Sequence, residues 1–120
     1  KNIDYISKIK PMYEVNSAAV VAAETILQND RLTKNYLKET LKAKNLLIKI
    51  LKKKNLRYFD SHANFILVDF KKNKNKILKL AYKKNILISK NSPFKNYIRI
   101  TLGPLSYFKK VVNIINQQKY

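Results

Sequence analysis

The 120-residue sequence predicts a two-layer α/β domain, with helices packed on a small mixed or antiparallel sheet. Two observations predict this class. Four segments carry helix signals in their composition, apolar spacing and capping residues, and β-branched segments with alternating polarity lie between them. The predicted order is helix, helix, strand, strand, helix, strand, strand, helix. A single glycine leaves no room for a glycine-rich phosphate loop.

Two helices are predicted in the first half of the chain. Asn16 precedes an Ala-rich run and can cap a helix there. Asp30 can cap a longer helix that reaches about Lys54. Lysines in its last turn favour the negative end of the helix dipole, and Asn55 tolerates the left-handed conformation beyond it. One buried stripe is expected on this helix, formed by Leu37, Leu41, Ile48 and Leu51.

The second half alternates strands with helices. The segments LRYF (56–59) and HANFILVDF (62–70) are predicted strands, followed by a short helix from Asn73 to Lys84. Strands at 86–89 (ILIS) and 97–102 (YIRITL) come next. Gly103-Pro104 is expected to start the final helix, with proline in its first position. The buried stripe of that helix is expected at Leu105, Phe108, Val112 and Ile115.

The net charge of +19 comes almost entirely from lysine, because only three of the 26 basic residues are arginine. Nucleic-acid binders use clustered arginines for bidentate contacts with bases and phosphates. These lysines are instead spread along every predicted helix, together with Asn and Ile, which AT-rich codons also favour. Composition therefore favours a solvated lysine surface over a nucleic-acid interface.

Cysteine content and hydropathy narrow the class further. The absence of cysteine excludes a disulfide framework or thiolate metal site and fits a reducing cytoplasm. No apolar run approaches the roughly 20 residues that a membrane span needs, so no membrane partner is expected. The lone His62 has no second ligand at metal spacing and is expected to be a turn residue. Because the sequence begins KNIDYISKIKP, without methionine, it is expected to be a piece of a longer protein.

Arg99 is the candidate binding residue that the strand pattern itself indicates. It lies in a β-branched strand, where Ile98 and Ile100 are expected to face the core and Arg99 and Thr101 the opposite side. A lysine would supply the same charge, but only arginine offers the planar fork that binds a carboxylate through two parallel hydrogen bonds. The pattern therefore predicts an anion-binding residue on a rigid strand.

Four segments in order resemble the C-terminal part of fold-type I aminotransferases: KPMYEVNSAAVVAA, SHANFILVDF, KKNILIS and NYIRITLGP. They are most similar to the branch that contains histidinol-phosphate aminotransferase. In that family a strand begins small-Asn-Phe, as Ala63-Asn64-Phe65 does here. A later strand has the pattern Leu-Arg-Ile-Thr-hydrophobic-Gly, which residues 98–103 match closely. The resemblance covers nearly the whole chain.

The resemblance implies a pyridoxal-phosphate-dependent aminotransferase that is a cytoplasmic homodimer when full length and acts on an amino-acid or amino-phosphate substrate. Residues 1–12 would connect to a missing large domain, and residues 13–120 would form the small domain. Arg99 would bind the substrate α-carboxylate. The lysine that bonds to the cofactor, the partner of its ring nitrogen and its phosphate-binding residues would lie upstream, so this piece alone should be inactive.

Two further candidate substrate-binding residues follow from the resemblance. Family members end the strand before Arg99 with an arginine that binds the substrate phosphate, whereas this chain has Ser89 followed by Lys90. Either Lys90 replaces that arginine as a point charge, or the enzyme prefers a donor other than histidinol phosphate. Asn64 is expected to be half-buried beside Ile66, where its amide either contacts substrate or holds a neighbouring loop.

Two alternative functions remain open on the sequence. An amino-acid-phosphate decarboxylase is built on the same scaffold, and the choice between the two reactions depends on residues upstream of this piece. A stand-alone basic module that binds nucleic acid belongs to a different class. Such a module would lose affinity steeply as the salt concentration rises, which separates it from an enzyme domain.

Overall fold

The computed structural model describes residues 2–9, 15–89 and 94–118 of the chain. The chain divides into two units, residues 1–33 and 34–120. Within the described residues, the first unit contains two helices and the second contains the sheet. A long helix begins in the last residues of the first unit and continues into the second.

The first unit contains helices α1 (Asn2–Ser7) and α2 (Ser17–Gln28). The predicted cap of α2 is confirmed, because the Asn16 side-chain oxygen accepts a hydrogen bond from the Ala18 backbone N–H at 2.8 Å. That bond satisfies one of the N–H groups that the first turn of a helix leaves free. The Ala-rich run is therefore helical, as its composition predicts.

The second unit contains a three-stranded antiparallel sheet, in the order β1 (Tyr58–Phe59), β2 (Phe65–Asp69) and β3 (Tyr97–Thr101). Leu67, in the middle of β2, pairs with Phe59 on one side and with Arg99 on the other. Paired residues in an antiparallel sheet place their side chains on the same face. This register decides which residues share a face with Arg99.

The strand predicted at 86–89 is not formed, and this prediction is wrong. Its residues make one isolated bridge to the sheet, between Ser89 and Arg99. The reason lies at the start of the segment, where Asn85 has a φ of 56° and the Ile86 backbone N–H donates to the Ala81 carbonyl at 2.9 Å. Closing the preceding helix thus takes up the first residue of the apolar run.

Three helices accompany the sheet: α3 (Asp30–Lys53), α4 (Lys74–Lys83) and α5 (Leu105–Asn116). A short 3-10 helix, Lys71–Asn73, leads into α4. The sequence predicted Pro104 as the first residue of α5. In the structure Pro104 is instead the N-terminal cap of that helix, with φ −52° and ψ 142°. Proline suits either position, since its fixed φ matches both and its missing N–H costs no hydrogen bond there.

The core lies between one face of the sheet and helices α3, α4 and α5. In β2 and β3, the buried residues Ile66, Val68, Ile98 and Ile100 alternate with more exposed neighbours, apart from the buried Tyr97. The helices contribute the following buried side chains: Ala43, Leu47, Leu51, Ile77, Ala81, Phe108, Val112, Ile114 and Ile115. The predicted two-layer class with an antiparallel sheet is confirmed, and so is the α5 stripe, with Leu105 half-buried.

The stripe predicted on α3 is partly wrong. Leu37 and Leu41 are 56% and 48% exposed, whereas Leu51 is buried as predicted and Ile48 is half-buried against the core. The other residues of the buried face are Thr40, Ala43 and Leu47. Thr40 can be buried because its hydroxyl donates to the Tyr36 carbonyl at 2.9 Å.

Two helices end in the same way, as the repeated Lys-Lys-Asn sequences predict. Asn55 after α3 and Asn85 after α4 have positive φ angles of 52° and 56°. In each case the next residue donates its backbone N–H to a carbonyl five residues earlier, Leu56 to Leu51 and Ile86 to Ala81. This bonding satisfies carbonyls that the last turn leaves free, and it folds the chain back towards the sheet.

Candidate functional site

Arg99 lies in the middle of β3 with its side chain exposed, on the face opposite the core. Its strand neighbours Ile98 and Ile100 are buried, so the predicted outward orientation is confirmed. The guanidinium carbon lies 5.5 Å from the centre of the Phe65 ring. A cation held over an aromatic face is stabilised electrostatically, and the ring restricts the positions that the guanidinium can adopt.

The guanidinium of Arg99 makes no ion pair with any residue that the structure describes. Its fork of N–H donors therefore remains available to a ligand. An unpaired arginine on a rigid strand suits bidentate binding of a carboxylate, because little side-chain freedom is lost when the bonds form.

A groove of about 500 Å³ lies along β3, on the side where Ser89 makes its bridge. The chain from Lys84 to Ile88 and helix α5 form its walls. No carboxylate lines the groove among the residues described. Its polar and charged lining consists of Lys84, Asn85, Arg99, Thr101, Tyr107 and Lys110. Three cations without a carboxylate give the groove a positive potential that favours anionic ligands.

The other two candidate residues have different outcomes. Asn64 is exposed, so the expectation of a half-buried side chain is wrong. Strand β2 begins only at Phe65, which leaves Asn64 in the bend before it, with its backbone carbonyl accepting from the Leu102 N–H at 2.7 Å. Lys90 lies outside the described residues, whereas Ser89 is half-buried at its bridge with Arg99.

The turn that precedes Asn64 is tied to α3 by Lys44. The Lys44 Nζ lies 2.7 Å from the Asp60 Oδ1 and donates to the Ser61 carbonyl at 2.7 Å. The Lys44 ammonium holds the pKa of Asp60 below its ordinary value of 3.8, with help from the Ser61 backbone N–H at 2.8 Å. His62 is an exposed residue of this bend, as predicted.

Replacing Asp60 by Asn should lower the melting temperature at pH 7, and this difference should shrink as the pH falls. A carboxylate whose pKa is lower when folded stabilises the protein above its unfolded pKa. That contribution is lost as the pH falls through the folded pKa. The effect should be small because Asp60 is largely exposed. Thermal unfolding of both proteins between pH 2 and 7 measures it, and an equal difference at all pH values would contradict the ion pair.

Sequence reasoning missed an aromatic cluster on the same sheet face as Arg99. Phe59 and Tyr97 stack with ring centres 5.4 Å apart, and Phe94 contacts both rings at 5.7 and 5.2 Å. The Arg57 guanidinium lies 5.7 Å from the centre of the Phe59 ring. The sequence could have drawn attention to Arg57 by its residue type alone, because arginine is rare in this lysine-rich chain.

The sequence profile of the family described as "Aminotransferase class I and II" matches residues 2–115. The chain belongs to this aminotransferase family. Its relatives include the histidinol-phosphate aminotransferase of Clostridium novyi (strain NT), which is 32% identical over 96% of this chain and 33% of that protein. Histidinol-phosphate aminotransferase 1 of Carboxydothermus hydrogenoformans is 34% identical over 82% of this chain and 28% of that protein.

The fold of this aminotransferase-family chain also matches a solved structure. A crystal structure of a candidate aminotransferase from Burkholderia pseudomallei K96243 superposes with a TM-score of 0.78, at 20% identity, over 96% of this chain and 36% of that chain. Both comparisons agree with the predicted resemblance. The chain spans about a third of the length of the curated relatives that it matches.

Aminotransferases of this family depend on pyridoxal phosphate, but the described residues of this chain do not form a site for it. The groove beside Arg99 lacks a carboxylate that could pair with the cofactor's protonated ring nitrogen. A Cβ atom placed on Gly103 would have the Tyr36 hydroxyl as its nearest neighbour, at 4.0 Å. A side chain would therefore fit there, and Gly103 does not form the close backbone approach that a glycine loop offers to a phosphate. The described residues also contain no helix long and apolar enough to cross a membrane, and no cluster of metal ligands.

Proposed function

We propose that this chain is the small domain of a longer pyridoxal-phosphate-dependent aminotransferase and that Arg99 binds the α-carboxylate of its amino-acid substrate. Residues 13–120 form this domain, and residues 1–12 connect it to the large domain. The single observation that carries the proposal is the position of Arg99. Its guanidinium projects from the middle of β3, rests on Phe65 and has no ion-pair partner among the described residues.

The physical advantage of this arrangement is orientation. Two parallel hydrogen bonds from a guanidinium fix both the position and the plane of a carboxylate. A substrate held in this way presents its amino group at a set distance and angle. The entropy cost of orienting the reacting groups is then met when the substrate binds and not during the reaction. The strand supplies the rigidity, since both neighbours of Arg99 are anchored in the core.

Binding and orientation are the tasks of this chain, and the bond-breaking chemistry belongs to the cofactor. Pyridoxal phosphate, when bound, supplies an electron sink for the carbon that carries the amino group. We place its attachment lysine and phosphate-binding residues in the rest of the longer protein. Asn64, beside the end of β3 through its bond with Leu102, is a further candidate for substrate contact, because its amide is exposed.

Comparing the full-length protein with the 120-residue chain tests this proposal. The full-length protein should retain pyridoxal phosphate after dialysis, as read from its absorbance and from fixation by borohydride, and should transfer amino groups. The isolated chain should do neither, since it lacks the attachment site. If the isolated chain bound the cofactor in a borohydride-sensitive form, or if the full-length protein did not, the proposal would be wrong.

Histidinol phosphate should be a poor amino donor for the full-length enzyme. Ser89 occupies the position at which family members carry a phosphate-binding arginine, and a serine hydroxyl supplies neither the charge nor the fork. Steady-state assays with histidinol phosphate and a panel of other amino donors measure this preference. If histidinol phosphate proves the best donor, and Lys90→Ala raises its KM selectively, then Lys90 replaces the arginine and the inference from Ser89 is wrong.

A further inference from the structure

The neighbours of Arg99 on the outer face of the sheet decide the direction in which its side chain leans. Leu67 lies directly across the ladder from Arg99. Two residues further along β3, Thr101 lies across from Phe65, and two residues earlier the strand begins at Tyr97. Paired residues, and residues two apart in a strand, share a face of the sheet. The arginine therefore has a Tyr97 side and a Phe65 side on which to lie.

The Tyr97 side of this face is filled by the aromatic cluster. The Tyr97 ring stacks on Phe59 at 5.4 Å and contacts Phe94 at 5.2 Å, which leaves Tyr97 only 9% exposed. Phe59 pairs with Leu67, so the stacked rings cover the sheet between them on this side of Arg99. A guanidinium that leaned this way would have to displace packed rings.

Phe65 supplies a surface on the other side. The Arg99 guanidinium carbon lies 5.5 Å from the centre of the Phe65 ring, a distance at which the negative face of a ring attracts a cation. The two residues are diagonal neighbours across the ladder, since Phe65 pairs with Thr101. Aromatic and long side chains reach each other at that spacing. The Phe65 ring is half-buried and its backbone belongs to the ladder, so it offers the guanidinium a fixed position.

This contact selects the end of the outer face at which a ligand of Arg99 would bind. The guanidinium is drawn towards the row of Phe65 and Thr101, and Thr101 and Arg99 both line the groove. A ring against the flat face of the guanidinium leaves its edge donors accessible. An exposed arginine loses side-chain freedom when it binds a ligand, and the ring contact restricts part of that freedom beforehand.

We infer that Phe65 is a positioning residue, whose ring holds the Arg99 guanidinium at the Thr101 end of the sheet face in the orientation that binds the α-carboxylate. This inference rests on the proposed function of Arg99. Phe65 acts through Arg99 and not on the reacting atoms. Its contribution should therefore appear only with ligands that carry the carboxylate.

Steady-state kinetics of the full-length enzyme test this role. Phe65→Leu keeps an apolar side chain but removes the ring. It should lower kcat/KM for the best amino-acid donor by about twofold to thirtyfold, the range of a cation–ring contact from an exposed to a desolvated site. The corresponding amine without the α-carboxylate should react as in the wild type. Phe65→Tyr keeps the ring and should stay within about twofold of the wild type with both donors.

Tyr82→Leu is the control, since it also replaces an aromatic ring by leucine, at a position of α4 that is 75% exposed. It should leave the kinetics with both donors unchanged. An equal loss for the amino acid and the amine in Phe65→Leu would show a purely structural role and overturn the inference. A loss in Phe65→Tyr as large as that in Phe65→Leu would overturn it as well, because the ring would then not be the cause.

A spectroscopic measurement separates this inference from the proposed aminotransferase activity. In full-length protein labelled with 15N-arginine, the Arg99 Nε–H signal is identified by its loss in Arg99→Lys. Phe65→Leu should shift this signal, because it removes the ring current of the adjacent ring. Titration with propionate, which carries only the carboxylate, should also move the signal, and Phe65→Leu should weaken propionate binding by the same factor as it lowers kcat/KM.

The possible results distinguish the two proposals. If Phe65→Leu weakens propionate binding while no amino donor is turned over, the positioning role stands and the proposed activity fails. If propionate binds equally well to the wild type and to Phe65→Leu, the positioning role fails, whatever the activity. If propionate does not move the Arg99 signal at all, Arg99 does not bind carboxylates and both proposals fail.

Discussion

Replacing Leu47 by Ala should lower the free energy of unfolding by about 2 to 5 kcal/mol, the range for a leucine removed from a packed core. Leu47 is fully buried on the face of α3 that belongs to the core, together with Leu51. Its truncation removes the transfer free energy of the lost methyl and methylene groups and leaves a cavity. For a domain whose total stability is about 5 to 15 kcal/mol, such a loss is a substantial share of the whole.

Leu41→Ala is the matched control, because it makes the same chemical change on the same helix at a side chain that is 48% exposed. It should cost less than about 1 kcal/mol, since much of that side chain already contacts water. Urea unfolding of the 120-residue chain, followed by circular dichroism, measures both changes. An equal loss of stability for Leu41→Ala and Leu47→Ala would contradict the structure, because it would mean that α3 turns Leu41 towards the core, as its leucine spacing predicts.

The difference between the two faces of α3 shows what apolar spacing can and cannot predict. Leucines at 37, 41 and 51 form a regular pattern, but only Leu51 is buried within the described structure. The buried face includes Thr40 and Ala43, which are too small or too polar to stand out in a hydrophobic pattern. These two residues are buried by the packing of α3 on the core, and that requirement cannot be read along the chain.

Strands β2 and β3 were easier to predict than the conformation of residues 86–89. β-branched residues in alternation predicted β2 and β3, because one buried face imposes a period of two. The run at 86–89 has the same composition, but its first residue, Ile86, is used to close α4. Competition between a helix end and a strand start depends on hydrogen bonds across the fold, so local composition did not reveal it.

The candidate site was predicted in part, through the choice of arginine over lysine. That choice indicated Arg99 and its outward orientation, which the structure shows. Asn64 was misplaced because β2 begins one residue later, at Phe65, so the alternation that buries Ile66 and Val68 does not extend to it. Residue type was therefore the more reliable signal for the site.

Arg99→Lys in the full-length enzyme should reduce kcat/KM for its amino-acid donor by about 2 to 4 kcal/mol of transition-state stabilisation, or roughly thirtyfold to nearly a thousandfold. Lysine keeps the positive charge but supplies a single flexible point donor in place of two parallel hydrogen bonds. It also loses the stacking of the guanidinium on Phe65, which lies 5.5 Å away. The substrate is then held less firmly, and its amino group is less well aligned for reaction.

Two controls make this prediction specific to the α-carboxylate. The amine that corresponds to the best donor but lacks the α-carboxylate should react slowly in the wild type and equally slowly in Arg99→Lys, because it has no group for the fork to bind. Arg31→Lys, the same substitution at an exposed position in the first unit, should leave the kinetics with both donors unchanged. Steady-state assays with both donors decide the matter, since a loss shared equally by the amine would indicate a disturbed strand. Unchanged kinetics for Arg99→Lys with every amino donor would show that Arg99 does not bind the substrate. Arg99 would then be a surface residue of β3 that has no ligand.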